Sequence, residues 1–179
     1  MNIFPACDGL PDRDLFDDRL QVAINQARRY CRGLALLRVD IDRSGNAGVS
    51  FDQPAGVELQ VEAARRLLSC VREADTVARL DDDAFALVIG EVTIATATAV
   101  ERVAQRILDL LAEPCHLDAG TVCVTGSVGI ALFPQHGDDS NHLLRSAAAA
   151  LQMAKDSGRS HFRIHVPGAR NDSAQPDLI

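Results

Sequence analysis

The stretch RLDDDAFALV (79–88) sets Asp81, Asp82 and Asp83 between two apolar runs. Three neighbouring carboxylates at a hairpin tip can hold a divalent cation, Mg2+ or Ca2+, and through it a phosphorylated ligand. They can equally form a solvated acidic turn that keeps a sheet edge soluble. Asp40, near the end of the apolar run LALLRVDI (34–41), is the acid that could join them around a cation, or else a plain strand-end residue. Asp42 reads as a turn former. Lys155 and Arg159 stand four apart near the end of a helical stretch, where cations complement the negative end of the helix dipole. Arg72 and Asp75 flank a passage from helix to strand and read locally as an ion pair capping that turn. His161 and His165 have the separation of helical metal ligands, but HFRIH has the pattern of a strand, which sets that chemistry aside.

The elements that must position these residues follow from periodicity. A first helix begins at Pro11 and Asp12, carries Leu15, Phe16, Leu20, Ala23, Ile24 and Ala27 at helical spacing, and stops at Gly33. LALLRVDI is short and apolar enough for a buried strand. Residues 43–56, with three glycines and a proline, form a loop before a helix over about 57–73. TVARL and AFALVI make a hairpin around Asp81 and Asp82, although Asp-Asp is a poorer tight turn than Asn-Gly. A helix over about 96–112 ends at Pro114, and CHLDAGTVCVTGSVGIALF reads as a short strand, an Ala-Gly turn and one long strand. The last helix runs from Ser140 to Gly158, and HFRIHV closes the sheet. The order α, β, α, β, β, α, β, β, α, β gives an α/β (α+β) fold, a mixed sheet with a βαββαβ core and flanking helices.

Composition narrows the class. A chain of 179 residues, 47% hydrophobic, suits one domain with a real core. The division is a lead-in over 1–8, a domain over 9–166, and a polar tail or linker start over 167–179. With 18 Lys and Arg against 25 Asp and Glu, the formal charge of -7 argues against a general nucleic-acid or anionic-membrane binder. No stretch approaches the roughly 18 apolar residues of a membrane span, and no basic flank leads into an apolar N-terminal run, so the chain reads as cytoplasmic. Its five cysteines are scattered and never form C-x-x-C, which suggests neither a disulfide framework nor a zinc site.

The series GLPDRDLF (9–16), ALLRVDID (35–42), READTVARLDDDAF (72–85), SVGIALFP (127–134) and AAALQMAKDSGR (148–159) resembles the GGDEF domain of bacterial diguanylate cyclases. The resemblance covers about residues 9–165 and implies a nucleotidyl-cyclase palm. In that family two GTP molecules, held by two domains with metal ions on the triphosphates, condense to cyclic di-GMP. The resemblance implies metal roles for Asp40, for the Ile41 carbonyl and for Asp83, and phosphate roles for Lys155 and Arg159. It also exposes departures. The signature Gly-Gly-Asp/Glu-Glu-Phe has become Asp81-Asp82-Asp83-Ala84-Phe85. Glycines let a phosphate approach the backbone, whereas Asp81 and Asp82 obstruct and repel it. Ala84 replaces the acid implied to help activate the attacking hydroxyl. Gly48 and Val57 stand where the family has a guanine-binding Asn and Asp, Gly45 where it has a phosphate-contacting Lys, and Pro5 to Asp8 where it has D-x-L-T.

Arg72-Glu73-Ala74-Asp75 matches the family's R-x-x-D inhibitory site for cyclic di-GMP, in which Arg suits phosphate and a guanine edge and Asp accepts a guanine N–H. The expectation is therefore a catalytically inactive regulatory domain that requires no cofactor and disfavours GTP. Cyclic di-GMP is its leading ligand, and an EAL or sensory domain its expected neighbour. Residual cyclase activity, and a scaffold that binds no nucleotide and acts through a dimer or partner surface, are the alternatives.

Overall fold

The computed structural model describes residues 9–42, 53–93 and 97–168. In chain order the elements are α1 (Arg13–Arg29), β1 (Gly33–Asp42), α2 (Pro54–Cys70), β2 (Thr76–Arg79), β3 (Ala84–Val92), α3 (Ala97–Ala112), β4 (Cys115–Leu117), β5 (Gly120–Val122), β6 (Thr125–Phe133), α4 (Ser140–Asp156) and β7 (Phe162–Ile164). Five strands form one sheet in the order β2-β3-β1-β6-β7, antiparallel throughout except for the parallel β6–β7 pair. This is the mixed sheet with flanking helices that the periodicity predicts.

Side-chain alternation in β1 sorts the core into two layers. Ala35, Leu37, Val39 and Ile41 pack under α2 and α3 with Leu59, Leu67, Ile107 and Leu111. Leu34 and Leu36 pack under α1 and α4 with Phe16, Leu20, Ile24, Leu143 and Ala147. Helix α4 lies unusually close to the sheet. A Cβ added at Gly129 on β6 would sit 2.2 Å from both the Ala147 carbonyl oxygen and the Leu151 nitrogen, so only glycine admits the helix here. Alanines at 147, 150 and 154, all fully buried, continue that contact along α4.

Two helix ends are fastened by side chains. Asp12 caps α1 by accepting from the Leu15 N–H at 3.0 Å, and Asp139 caps α4 by accepting from the His142 N–H at 2.8 Å. The C-terminus of α3 is held by a residue of α2. Arg66, 5% exposed, donates from Nη1 to the carbonyls of Leu110 (2.6 Å) and Glu113 (2.7 Å), from Nη2 to Pro114 (3.0 Å), and from Nε to Glu62 (2.7 Å). Helix-end carbonyls left without intrahelical partners are thereby satisfied. The hydrogen bond from Arg65, reinforced by Arg66, holds the Glu62 carboxyl down to about 2 against the opposing effect of its burial.

Three local expectations are corrected. Helix α2 begins at Pro54, which suits a first helical turn, and ends at Cys70, so it lies three residues earlier at each end than the apolar stripe suggests. The single long strand after the Ala-Gly turn is two. β5 pairs with β4 as a separate two-stranded sheet, and β6 begins anew at Thr125. The hairpin tip is a four-residue connection, 80–83, rather than a tight Asp-Asp turn. The expected loop over 43–56, the lead-in and nearly all of the tail fall largely or wholly outside the described residues. Among the described residues, no helix is long and apolar enough to cross a membrane.

Candidate functional site

Strand β1 carries Asp40 and Asp42 two residues apart, so both side chains share the face covered by α1 and α4. Asp40 lies opposite Ala84 on β3 and opposite Ser127 on β6. Its carboxylate forms an ion pair with the Lys155 ammonium from the last turn of α4, and the two side chains are only 17% and 29% exposed. The dipole of α4 draws a cation to this end, and the close α4–β6 approach brings it over the acid.

Asp42 is a correction to the sequence reading. It is not a solvated turn former but is 4% exposed, and one carboxylate oxygen, Oδ2, accepts from Ser127 Oγ (2.7 Å), the Ser160 N–H (3.4 Å) and Thr125 Oγ1 (3.5 Å). The Arg159 Nε stands 3.7 Å from its other oxygen. The chain just beyond α4 needs such a tether, because Gly158, Arg159 and Ser160 all have positive φ (111°, 61° and 54°). Two of these are not glycine, and each such residue costs about 1 kcal/mol or more in this region. The available signal was the D-x-D spacing at a strand end, which puts both acids on one face.

The signature turn is tied to β1 through the main chain. Leu80 and Asp81 N–H groups donate to the Ala84 carbonyl at 2.8 and 3.1 Å, Ala84 N–H to the Asp81 carbonyl at 3.4 Å, and Ile41 N–H to the Asp83 carbonyl at 2.9 Å. Asp81 and Asp82 point into solvent and Asp83 is half-buried. The Ala84 methyl is buried among Ala78, Leu80 and Ala86, while Phe85, fully buried, and Ile41 pack on the opposite face. The structure thus brings Asp40, Ile41, Asp83, Ala84, Lys155 and Arg159 to one end of the sheet.

As arranged, Asp40 and Asp42 do not present open donors for a metal. Asp40 already holds an ammonium, and Asp42 is saturated by donors and a guanidinium. Among the described residues, only Asp138, Asp139 and His142 bring three metal-binding side-chain atoms together, and all three are exposed.

Arg72 and Asp75 lie at the other end of β3, on the order of 20 Å away by strand rise. The expected ion pair between them does not form. Asp75 instead accepts from the main-chain N–H of Arg72 at 2.9 Å and from that of Gly90 at 3.2 Å, while its own N–H donates to the Arg72 carbonyl at 3.0 Å. Backbone donors stripped of strand partners at a turn outcompete an exposed guanidinium for that carboxylate. The Arg72 side chain is exposed, and among the described residues no ion pair or hydrogen bond engages its guanidinium. Burial raises the pKa of the Cys70 thiol at the end of α2, and the charge of Arg106 on α3 acts against that rise.

The remaining candidates are dispersed. Val57 is half-buried in the first turn of α2, beside Glu58, Val61, His116 and Leu117 around a hollow of about 300 Å³. Gly45, Gly48 and Pro5 to Asp8 lie outside the described residues. His161 contacts the Arg159 carbonyl, and His165 packs edge-on against His136 with ring centroids 5.3 Å apart.

The family model for "Diguanylate cyclase, GGDEF domain" matches residues 6–161. The bifunctional diguanylate cyclase/cyclic di-GMP phosphodiesterase MucR of Pseudomonas aeruginosa is 35% identical over 169 residues, 94% of this chain and 24% of MucR. The cyclic di-GMP phosphodiesterase PdeR of Escherichia coli is 34% identical over 159 residues, 89% of this chain and 23% of PdeR. The chain thus spans about a quarter of the length of these relatives. Among solved structures, the GGDEF domain of TpbB (YfiN) from Pseudomonas aeruginosa superposes with a TM-score of 0.82 at 32% identity, covering 89% of this chain and 92% of that one. Strand order, helix placement and a family match running from residue 6 to residue 161 agree, and the chain belongs to the GGDEF domain family.

Proposed function

We propose that this domain makes no cyclic di-GMP and acts instead as a regulatory module of cyclic di-GMP signalling, taking that dinucleotide at Arg72 and Asp75. The observation that carries the first half is Ala84. A buried methyl stands opposite Asp40, so no carboxylate at that position can accept the proton of an attacking hydroxyl. Asp81 and Asp82 add exposed negative charge where a triphosphate would approach the turn.

The second half is supported by the exposed guanidinium of Arg72, which among the described residues has no ion pair or hydrogen bond and suits a phosphate. Asp75 holds the turn that presents Arg72, and its oxygens keep lone pairs for a guanine N–H. Relatives carrying the name of a phosphodiesterase are compatible with such a module sitting beside another domain in a longer protein.

The test is calorimetric titration with cyclic di-GMP of the wild type and Arg72→Ala, alongside chromatographic assay of GTP turnover with Mg2+ or Mn2+. Binding lost in the variant, with no product from GTP, is the expected result. Product from GTP would overturn the inactive reading. No heat in either protein would remove the receptor role and favour a scaffold.

A further inference from the structure

We propose that Lys155 is the resident cation of this site: its ammonium neutralises Asp40 permanently and closes the position to divalent metal. The inference concerns the same end of the sheet and rests on the reading that this end is catalytically silent.

The argument begins with charge pairing. On the face under α4, the cross-strand neighbours of Asp40 are Ala84 and Ser127, neither of which is anionic. A divalent ion at Asp40 therefore meets a carboxylate that already bears a positive charge in direct contact, and Asp83, the half-buried acid of the adjoining turn, also has a partner of its own. Entering there means either displacing the ammonium or standing beside it, and two like charges at that distance repel strongly in a half-buried setting. Asp42, the second acid on this face, is balanced in the same way by Arg159 and by three hydrogen-bond donors. The set Asp40, Asp42, Lys155 and Arg159 is thus neutral by itself.

Geometry makes the lysine hard to remove. Its neighbour Ala154 is fully buried, and α4 is pinned to β6 where only Gly129 leaves room. The helix cannot shift to withdraw the ammonium, and side-chain rotation alone would strand Asp40 without a partner at 17% exposure.

Mn2+ tests this in the full chain through paramagnetic broadening of amide resonances in a 15N-labelled sample. The measurement separates the Asp40 site, reported by Ile41 and Ala84, from the exposed Asp138, Asp139 and His142 group. In the wild type and in Lys155→Arg, each carrying, like every variant below, Asp81→Asn and Asp82→Asn to remove the exposed acids of the turn, Ile41 and Ala84 stay sharp at Mn2+ concentrations that saturate the Asp138, Asp139 and His142 group. In Lys155→Gln and Lys155→Met they broaden saturably, with binding tighter by roughly tenfold or more, the scale on which one adjacent charge moves an ionic equilibrium. The gain disappears in Lys155→Gln combined with Asp40→Asn. Saturable broadening of Ile41 and Ala84 in the wild type, or none in either neutral variant once its spectrum shows it folded, overturns the proposal. Either result leaves cyclic di-GMP binding at Arg72 and the GTP assay to be judged separately, because neither involves this readout.

Discussion

Asp40 and Ala84 face each other across the β1–β3 ladder, a carboxylate and a methyl in direct register on the face beneath α1 and α4. The methyl is 6% exposed and packs with Ala78, Leu80 and Ala86, so the position across the ladder from Asp40 is lined by apolar groups rather than by an acid.

Restoring an acid there has a definite cost. Ala84→Glu pushes a carboxylate into a packed apolar layer near Asp40, and stability falls by about 2 kcal/mol. With Asp81, Asp82 and Val57 unchanged, turnover of GTP does not return. Chemical denaturation and chromatography of a GTP incubation check the two parts. Product formation by this single variant, with none from the wild type, would show that the residue at position 84 alone decides turnover.

Asp42 organises the turn beyond α4. Asp42→Asn keeps the shape and one oxygen for Ser127, Thr125 and Ser160, but it sets an amide NH2 against Arg159 and removes the charge that balances the guanidinium. A loss of about 2 kcal/mol is expected. Faster amide exchange at Ser160 and His161 than within α4 should accompany it, which would separate local release of the turn from general weakening.

Glu62 and Arg66 couple α2 to the end of α3. The folded pKa of Glu62, about 2, lies below its ordinary 4.5. Its contribution is therefore complete above about pH 4.5 and is lost as pH falls toward 2. Because the side chain is 25% exposed, solvent screening trims this to about 2 kcal/mol. Urea denaturation at pH 7 should show that loss in Glu62→Gln, and the difference from wild type should shrink at pH 3. Arg66→Met, which orphans the carbonyls of Leu110, Glu113 and Pro114, should cost more, about 3 kcal/mol.

His136 supplies a second pH dependence. Its Nδ1 accepts the Leu132 N–H at 3.0 Å, which requires a neutral ring, and it is 7% exposed. Burial chiefly, and the charge of His165 next, push its pKa below 6.5. The folded state then binds fewer protons than the unfolded one, so stability is full above pH 6.5 and declines as pH falls through the folded value. His165→Phe should raise the His136 pKa, as read by the ring-proton shifts in an NMR titration. An unchanged midpoint would remove His165 as a cause.

By itself the sequence determined the mixed sheet, the family and the element order, save that the long strand after the Ala-Gly turn is divided into β5 and β6. These follow from side-chain period and from motif residues at set offsets, both of which are local. The 3.6-residue stripe of α1 and the two-residue alternation of AFALVI state which faces are buried before any partner is known. The spacing between ALLRVDID and READTVARLDDDAF locates the candidate site in the same way. Tertiary structure decided what each charge does. That Lys155 answers Asp40 depends on α4 lying against Gly129, 115 residues of chain separation bridged by a close approach of two backbones. That Asp42 is buried depends on Ser127 and Ser160 arriving from β6 and from the turn beyond α4. Asp75 turned from an ion pair with Arg72 to two main-chain donors because Gly90, distant in sequence, supplied the second of them. Charges choose partners by distance and desolvation, and both quantities exist only once the chain is folded.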